Sequence, residues 1–241
     1  MTDTMGETVS YAGFADLAHE EIAVPANAPA WLRDLLADKT VVEASEALAR
    51  CVVERETAIN AVLFGDKECA LPRELSLDQQ VALCREFAEQ FTSRGLIADW
   101  VIHVPAKNTE NPHMHLMHTI RELAPDGFGR KCIPLLDRDG QVQRHNGKIV
   151  YQRFLEKPVE LKALRLAWGD MVNKHLAMAG FENRIDMRSH AERGLAIEPT
   201  THIGPQPFAM AARFGDISSL HDHALSRMQA VADLVAIPAS C

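Results

Sequence analysis

Tyrosine is scarce in this 241-residue chain, with Tyr11 and Tyr151 alone among an aromatic content of 6%. No run of about 18 apolar residues occurs, which excludes a transmembrane helix. The polar, acidic N-terminus lacks the basic start and apolar middle of a secretory signal. Five scattered cysteines form no Cys-x-x-Cys pair, which argues against a disulfide framework or a thiolate zinc site. These absences predict a cytoplasmic protein without membrane insertion.

The composition is that of an ordinary globular protein, with 47% hydrophobic and 24% charged residues. The chain is long enough for one sizeable core or two small ones. A net charge of −8 argues against a continuous positive coat for gripping nucleic acid, although a local basic groove within an acidic shell remains compatible with it.

Hydrophobic periodicity predicts alternating helices and strands in one α+β domain. Residues 1–205 form the predicted domain, and residues 206–241 form a C-terminal tail with a possible helix at 217–235. Proline and glycine signals bound most of the elements, and Ser76 is a candidate helix cap. The predicted strands are 20–24, 64–71, 96–104, 113–120 and 148–151, and the predicted helices are 30–36, 40–60, 77–94 and 159–179.

Three histidines stand out at the ends of two adjacent predicted strands. His113 and His115 are two apart, so they project from the same face of a strand, whereas Met114 points to the other. An antiparallel hairpin would bring His103 beside them, and three imidazoles on one face can hold a divalent metal. The alternative is that these histidines are ordinary polar strand residues. His118 has the opposite parity and is left out of the cluster.

Glu68 lies on the predicted strand before the second strong helix. A carboxylate there can orient a ligand histidine or act as a general base. A solvated charge at the end of a strand explains its position equally well.

The segments around these histidines resemble the histidine motif of the MobA/MobL relaxases, which initiate conjugative plasmid transfer. The similarity extends over nearly the whole chain, and the matching pieces are modest alone but highly specific in this order. They are Ile102-His103, Asn111-Pro112-His113-Met114-His115-Leu116-Met117, Glu68 with Ala70 to Leu75, Gly127-Phe128-Gly129, Leu166-Ala167-Trp168, Asn173, Arg184 to Ser189, and Glu198-Pro199-Thr200 with His202 and Gly204.

The resemblance implies an HUH-type fold, an antiparallel sheet flanked by helices, with a metal held by His103, His113 and His115. Manganese or magnesium is expected, and zinc, nickel and cobalt also suit such a site. It further implies that a tyrosine attacks single-stranded DNA at the origin of transfer and keeps the 5′ phosphate, with relaxosome proteins as possible partners. Glu68 matches a family carboxylate near the metal, taken here as catalytic. Arg184 and Arg188 match a run that is either structural or DNA-binding.

The chain also departs from the family pattern. The resemblance implies an opening strand and a helix carrying the nucleophilic tyrosine, which have no match here, and a C-terminal helicase region, which is absent. Tyr11 matches a later family tyrosine, and Tyr151 falls in a variable insertion. The sheet is therefore expected to lack its first strand, and DNA nicking is expected to be impaired.

Two other functions remain open at this stage. A non-catalytic, metal- and DNA-binding relaxosome accessory protein or remnant would use a local basic stretch, which is otherwise a solvated loop. A metal-dependent hydrolase would use a bound water in place of tyrosine. The basic stretch consists of Arg121, Arg130, Lys131, Arg138, Arg144 and Lys148.

Overall fold

The computed structural model describes residues 16–58, 61–105, 111–154 and 157–195. Seven elements build the main body in chain order, followed by six short strands and a long helix. The seven are β1 (Leu17–Ala23), α1 (Ala30–Leu36), α2 (Val41–Arg55), β2 (Phe64–Ala70), α3 (Leu77–Thr92), β3 (Ala98–His103) and β4 (His113–Thr119). The rest are β5 (Leu123–Ala124), β6 (Gly127–Phe128), β7 (Cys132–Pro134), β8 (Arg144–His145), β9 (Lys148–Ile149), β10 (Tyr151–Arg153) and α4 (Pro158–Met178).

The four long strands form one antiparallel sheet in the order β1-β3-β4-β2. The hairpin β3–β4 occupies the centre, so β1 and β2 are the edges of this sheet. Burial alternates along β3, where Ala98, Trp100 and Ile102 are buried and the residues between them are partly exposed. Successive side chains of a strand point to opposite faces, so the two faces of the sheet have different roles.

One face of the sheet packs against α3, which in turn packs against α4. Phe87 and Phe91 of α3 are buried against Trp100 and Met114 of the sheet, and Trp168 of α4 meets the ring of Phe87 edge-on at 5.0 Å. The start of α3 is fixed by a capping box, in which the Ser76 hydroxyl accepts from the backbone N–H of Gln79 and the Gln79 side chain accepts in return. This face holds the larger of the two cores.

Within the part of the chain that the structure describes, α1 and α2 cover one end of the other face. Leu32 of α1 and Leu48 and Val52 of α2 form a second core with Ile97 and Phe128. Ile97 directly precedes β3, so this cover lies over the start of β3. The end of the same face where β3 finishes and β4 begins stays outside this second core.

The predicted elements of the main body agree with the structure to within a few residues, apart from a helix predicted over 40–60 that ends at Arg55. The spacing of apolar residues in the helix predicted over 159–179 predicts a buried stripe of Leu161, Leu164, Trp168, Val172, Leu176 and Met178, and this prediction is wrong at two positions. Leu161 is 42% exposed and Met178 is 73% exposed, whereas Trp168, Val172 and Leu176 between them are buried. Both exposed residues lie near an end of α4, beyond the part that meets α3. The predicted helix at 217–235 lies outside the described residues.

The chain divides into two compact units, residues 1–187 and 188–241. Of the second unit only 188–195 is described, and there the Ser189 hydroxyl and backbone N–H both donate to the Glu192 carboxylate at 2.9 Å. The predicted boundary between residues 205 and 206 lies outside the described residues and stays a prediction. In the described ranges, none of the helices has the length and apolarity needed to cross a bilayer.

Candidate metal centre

The central hairpin brings three histidine rings together. His103 is the direct cross-strand partner of His113, and Val101 is the partner of His115. The ring centroids are 5.0 Å apart for His113 and His115, 5.3 Å for His103 and His115, and 5.7 Å for His103 and His113. Met114 points to the opposite face, where it is fully buried. The strand parity read from the sequence therefore produces the expected convergence.

Glu68 joins this cluster from the neighbouring edge strand. It is the cross-strand partner of His115 on β2, so the two side chains lie on the same face. Glu68, His113 and His115 each offer one ligand atom, and these three atoms lie within 4.8 Å of one another. All four side chains thus share one end of one face, with Glu68 exposed and the three rings half-buried.

The orientation of His113 favours a free Nε2 atom. Its Nδ1–H donates to the backbone carbonyl of Asn111 at 3.0 Å, which fixes the tautomer and leaves Nε2 as the acceptor nitrogen. Asn111 precedes Pro112, whose own carbonyl accepts from the backbone N–H of Leu71. The residues just before β4 are therefore tied to the end of β2. The sequence pattern alone did not indicate that Asn111 orients His113.

Electrostatics keep His103 in the form that a metal requires. Burial lowers the pKa of His103, and the adjacent imidazoles of His115 and His113 lower it further, against an opposing effect of Asp16. A neutral imidazole has the lone pair that coordination needs. Three imidazoles and a carboxylate form a donor set that suits divalent manganese, zinc, cobalt or nickel, so the residues present fit the metal that the family resemblance implies.

His118 lies on the opposite face, as its parity predicts. It is fully buried, and its ring stacks on Phe91 with centroids 4.5 Å apart. Its Nδ1–H donates to the carbonyl of Thr119 at 2.9 Å, and its Nε2 lies 3.2 Å from the Lys67 Nζ. These contacts make His118 part of the core rather than of the cluster.

The residues of the Arg-Ile-Asp-Met-Arg run have varied surroundings. Arg184 is exposed, and its Nη1 donates to the carbonyls of Phe181 and Asn183 at 2.7 and 2.6 Å. Ile185 is held at both backbone polar groups by the side chain of Asn173, at 2.8 Å each. Arg188 is exposed in the second unit. DNA contact by Arg184 and Arg188 stays a prediction.

A buried polar contact joins the face of the cluster to its helical cover. The Ser45 hydroxyl of α2 donates to the Asp99 carboxylate of β3, and Asp99 is four residues before His103 on the same face. Burial raises the pKa of Asp99, the hydrogen bond from Ser45 opposes this, and Glu20 adds to it. No local sequence pattern indicates this pair, because Ser45 and Asp99 are 54 residues apart.

We expect Asp99→Asn to raise the free energy of unfolding at pH 7, by about 1 kcal/mol. A carboxyl whose pKa is raised by folding contributes stability below its unfolded pKa and loses it as pH rises through the folded pKa. Asparagine can still accept from Ser45 but cannot ionise. Urea unfolding at pH 4 and pH 7 measures the effect, which should shrink at pH 4. As the matched control, Ser45→Ala should destabilise the protein more at pH 7 than at pH 4. An Asp99→Asn effect of equal size at both pH values would contradict the expectation.

Comparison with known proteins agrees with these observations. The model of the MobA/MobL family matches residues 1–213. The conjugal transfer protein TraA of Rhizobium radiobacter is 41% identical over 199 residues, which cover 82% of this chain and 18% of the relative. Mobilization protein A of Escherichia coli is 36% identical over 154 residues, covering 64% of this chain and 21% of that protein. The chain thus spans about a fifth of the length of these relatives.

A solved structure has the same arrangement of helices and sheet. It is described as "Molecular Basis of Vancomycin Resistance Transfer in Staphylococcus aureus", with a TM-score of 0.50 and 25% identity over 72% of this chain and 76% of that one. The predicted α+β, HUH-type class, an antiparallel sheet flanked by helices, is confirmed. From the match over residues 1–213 and the 41% identity to a relative, the chain belongs to the MobA/MobL family.

Proposed function

We propose that this chain is a relaxase domain of a conjugative or mobilisation system, which binds a divalent metal and single-stranded DNA at an origin of transfer. The observation that carries the proposal is the convergence of His103, His113 and His115 with Glu68. They meet at the end of the sheet where β3 finishes and β4 begins. Family membership supplies the link to plasmid transfer. Relaxosome proteins are the proposed partners.

The side chains of the cluster would divide the work at the scissile phosphate. His103, His113 and His115 would hold the metal. The family resemblance implies manganese or magnesium, and of the two we propose manganese first because it accepts imidazole ligands more readily. A bound divalent metal polarises a phosphate oxygen. The backbone carbonyl of Asn111 keeps the His113 ring oriented, and the exposed Glu68 can orient His115 or take up a proton at a carboxylate oxygen.

The position of Tyr151 bears on the nucleophile. In the described part of the chain Tyr151 is the only tyrosine, and it lies on β10. The Arg153 carbonyl at the end of β10 accepts from Arg94, which follows α3 and precedes β3. His103 lies at the end of β3, five residues after the first residue of that strand. The rise of a β-strand separates these two residues by about 17 Å. We therefore propose that this chain keeps metal and DNA binding but nicks DNA weakly, with Tyr11 as the remaining candidate nucleophile.

The proposed location is the cytoplasm. Cys51, Cys69, Cys84 and Cys132 are free thiols, which suits a reducing compartment.

The test is incubation with a single-stranded oligonucleotide that carries the cognate nick site, with manganese or magnesium. Denaturing gels of DNA and protein then detect cleavage and covalent adducts. We expect DNA binding that tightens with metal and little cleavage, and any adduct should disappear in Tyr11→Phe and persist in Tyr151→Phe. Strong cleavage that survives in the double tyrosine variant without an adduct would overturn the proposal in favour of a metal-dependent hydrolase.

A second candidate function is a non-catalytic relaxosome accessory protein. Exposed basic side chains on the segment before α4 favour it. Two results, obtained with protein shown to be folded and metal-loaded, would support this function over a relaxase domain. The first is salt-dependent DNA binding whose affinity does not change with metal. The second is the lack of cleavage with any metal.

A further inference from the structure

A small β-structure lies in the chain between the main sheet and α4. We call residues 132–153 the arm. Its outer strands β7 and β10 are paired from Tyr151–Pro134 to Arg153–Cys132, and a second hairpin, β8–β9, closes its tip. Backbone hydrogen bonds join all three passes of the chain, from Leu135 to Val150, from Gln143 to Leu135 and from Val150 to Gln143, at 2.8 to 3.0 Å.

Two tight turns give the arm a defined shape without a core of its own. In the first turn, the Asp137 carboxylate accepts from the backbone N–H groups of Asp139 and Gln141, both at 2.9 Å. The second turn is Asn146-Gly147, where both residues have positive φ, 49° and 77°, as a two-residue hairpin of type I′ requires. Backbone pairing therefore holds the arm, and its side chains are left for other contacts.

The structure divides the basic stretch of the sequence, together with the neighbouring Arg153, into two groups. The first group is used internally. Arg121 and Lys131 pair with the nearly buried Glu56 at 2.6 and 2.8 Å, and Arg130 pairs with Glu122 at 3.4 Å. These ion pairs fasten the base of the arm to the main body and leave those cations little freedom for a ligand.

The second group points outward from the arm. Arg144, Lys148 and Arg153 are exposed, and within the described ranges they form no ion pair with a carboxylate. Arg138 is also exposed but lies between Asp137 and Asp139. Three outward cations on one short element contrast with the net charge of −8 of the whole chain.

An aromatic ring accompanies these cations. Tyr151 is 48% exposed and stands two residues before Arg153 on β10, so the two side chains share a face. Gln152 between them is less exposed. A flat exposed ring beside a cation is the combination with which proteins stack an unpaired base and hold the adjoining phosphate.

We propose that the arm is a binding element for single-stranded DNA, in which Tyr151 stacks on a base and Lys148 and Arg153 contact phosphates. The identity of the nucleic acid rests on the proposed relaxase function. The base of the arm is tied to Arg94 and Val62, at the end of the sheet where Phe64 pairs with Thr119. The histidine cluster lies at the other end, where Ala70 pairs with His113. The arm therefore binds the DNA away from the candidate metal centre, and it contributes to the affinity for DNA rather than to cleavage.

Fluorescence anisotropy with a labelled oligothymidine of about 16 nucleotides tests this. The titrations are done in EDTA, so that binding through a metal does not contribute. We expect Lys148→Ala/Arg153→Ala to weaken binding about tenfold at low salt and to reduce the slope of log affinity against log salt by about 1.4. Tyr151→Ala should weaken binding at least about fivefold, whereas Tyr151→Phe should bind like the parent protein.

The matched control is Lys39→Ala/Arg50→Ala, which removes one exposed cation from the segment between α1 and α2 and one from α2, and changes the net charge equally. It should leave affinity nearly unchanged, and circular dichroism should show every variant folded. Equal losses in the control and arm variants, or equal losses in Tyr151→Phe and Tyr151→Ala, would overturn the proposal. These titrations contain no metal, so they test DNA binding by the arm independently of metal-dependent cleavage. The arm can bind DNA even if the protein does not cleave it, and the protein can cleave DNA even if the arm does not bind it.

Discussion

His113→Ala/His115→Ala is expected to lower the affinity of the protein for manganese by at least about 100-fold. These two rings supply two of the three ligand atoms that lie within 4.8 Å of one another, and the remaining Glu68 is exposed. His103 and Glu68 are then the remaining candidate ligands, and they compete poorly with water for a divalent ion because two of the four donors of the chelating set are lost. Titration with manganese, with the free ion followed by electron paramagnetic resonance, measures the loss directly.

The control for the loss of an imidazole is His145→Ala, because His145 is exposed on β8 and belongs to no metal-ligand cluster among the described residues. Its manganese affinity should equal that of the parent protein. The manganese affinity of Glu68→Gln should lie between those of the double histidine variant and the parent protein, because glutamine removes the charge but keeps an oxygen. Unchanged manganese affinity in the double histidine variant would exclude the cluster as the metal site, and with it the chemistry proposed for the relaxase domain.

Gly65→Ala is expected to lower the free energy of unfolding by about 1–3 kcal/mol or more. An added Cβ would overlap the ring of His118, with the Cε1 atom only 2.5 Å away. The ring cannot withdraw, because it is fully buried, stacks on Phe91 and donates to the Thr119 carbonyl. Either the ring or the backbone of β2 must move, and β2 carries Glu68. Urea unfolding followed by circular dichroism gives the change.

Gly169→Ala is the matched control, since its added Cβ would also be close to a neighbour, 2.6 Å from the Met187 Cγ. The methionine side chain is flexible and can move aside, and alanine is favoured over glycine inside a helix by about 1 kcal/mol. We expect this variant to be near neutral. A second test is Gly65→Ala/His118→Ala, which should cost less than the sum of the two single changes because the overlap is gone. Full additivity of the two changes would refute the overlap as the cause.

The candidate metal centre is built on paired strands rather than on loops. Cross-strand registers fix His103 opposite His113 and Glu68 opposite His115, so the spacing of the rings follows from the sheet. The cover provided by α1 and α2 ends at Asp99, which α2 holds through Ser45. Among the described residues, this division leaves the cluster outside the second core. In our proposal the arm adds a second site of DNA binding, whose outward side chains Lys148, Tyr151 and Arg153 are exposed.

The sequence by itself determined the elements of the main body and the parity of the histidines. Period-two alternation fixes which strand residues share a face, and capping residues such as Ser76 fix where helices begin. His113, His115 and the exclusion of His118 followed from that parity alone. Such patterns are local, so they can be read from a single chain.

The tertiary structure decided what depends on residues far apart in the chain. It placed β2 beside β4, which brings Glu68 to His115, and it set Ser45 against Asp99. It also separated the internally paired Arg121, Arg130 and Lys131 from the outward cations of the arm. No local pattern encodes strand order or the partner of a charge, because both are chosen by the packing of the whole sheet and its helices.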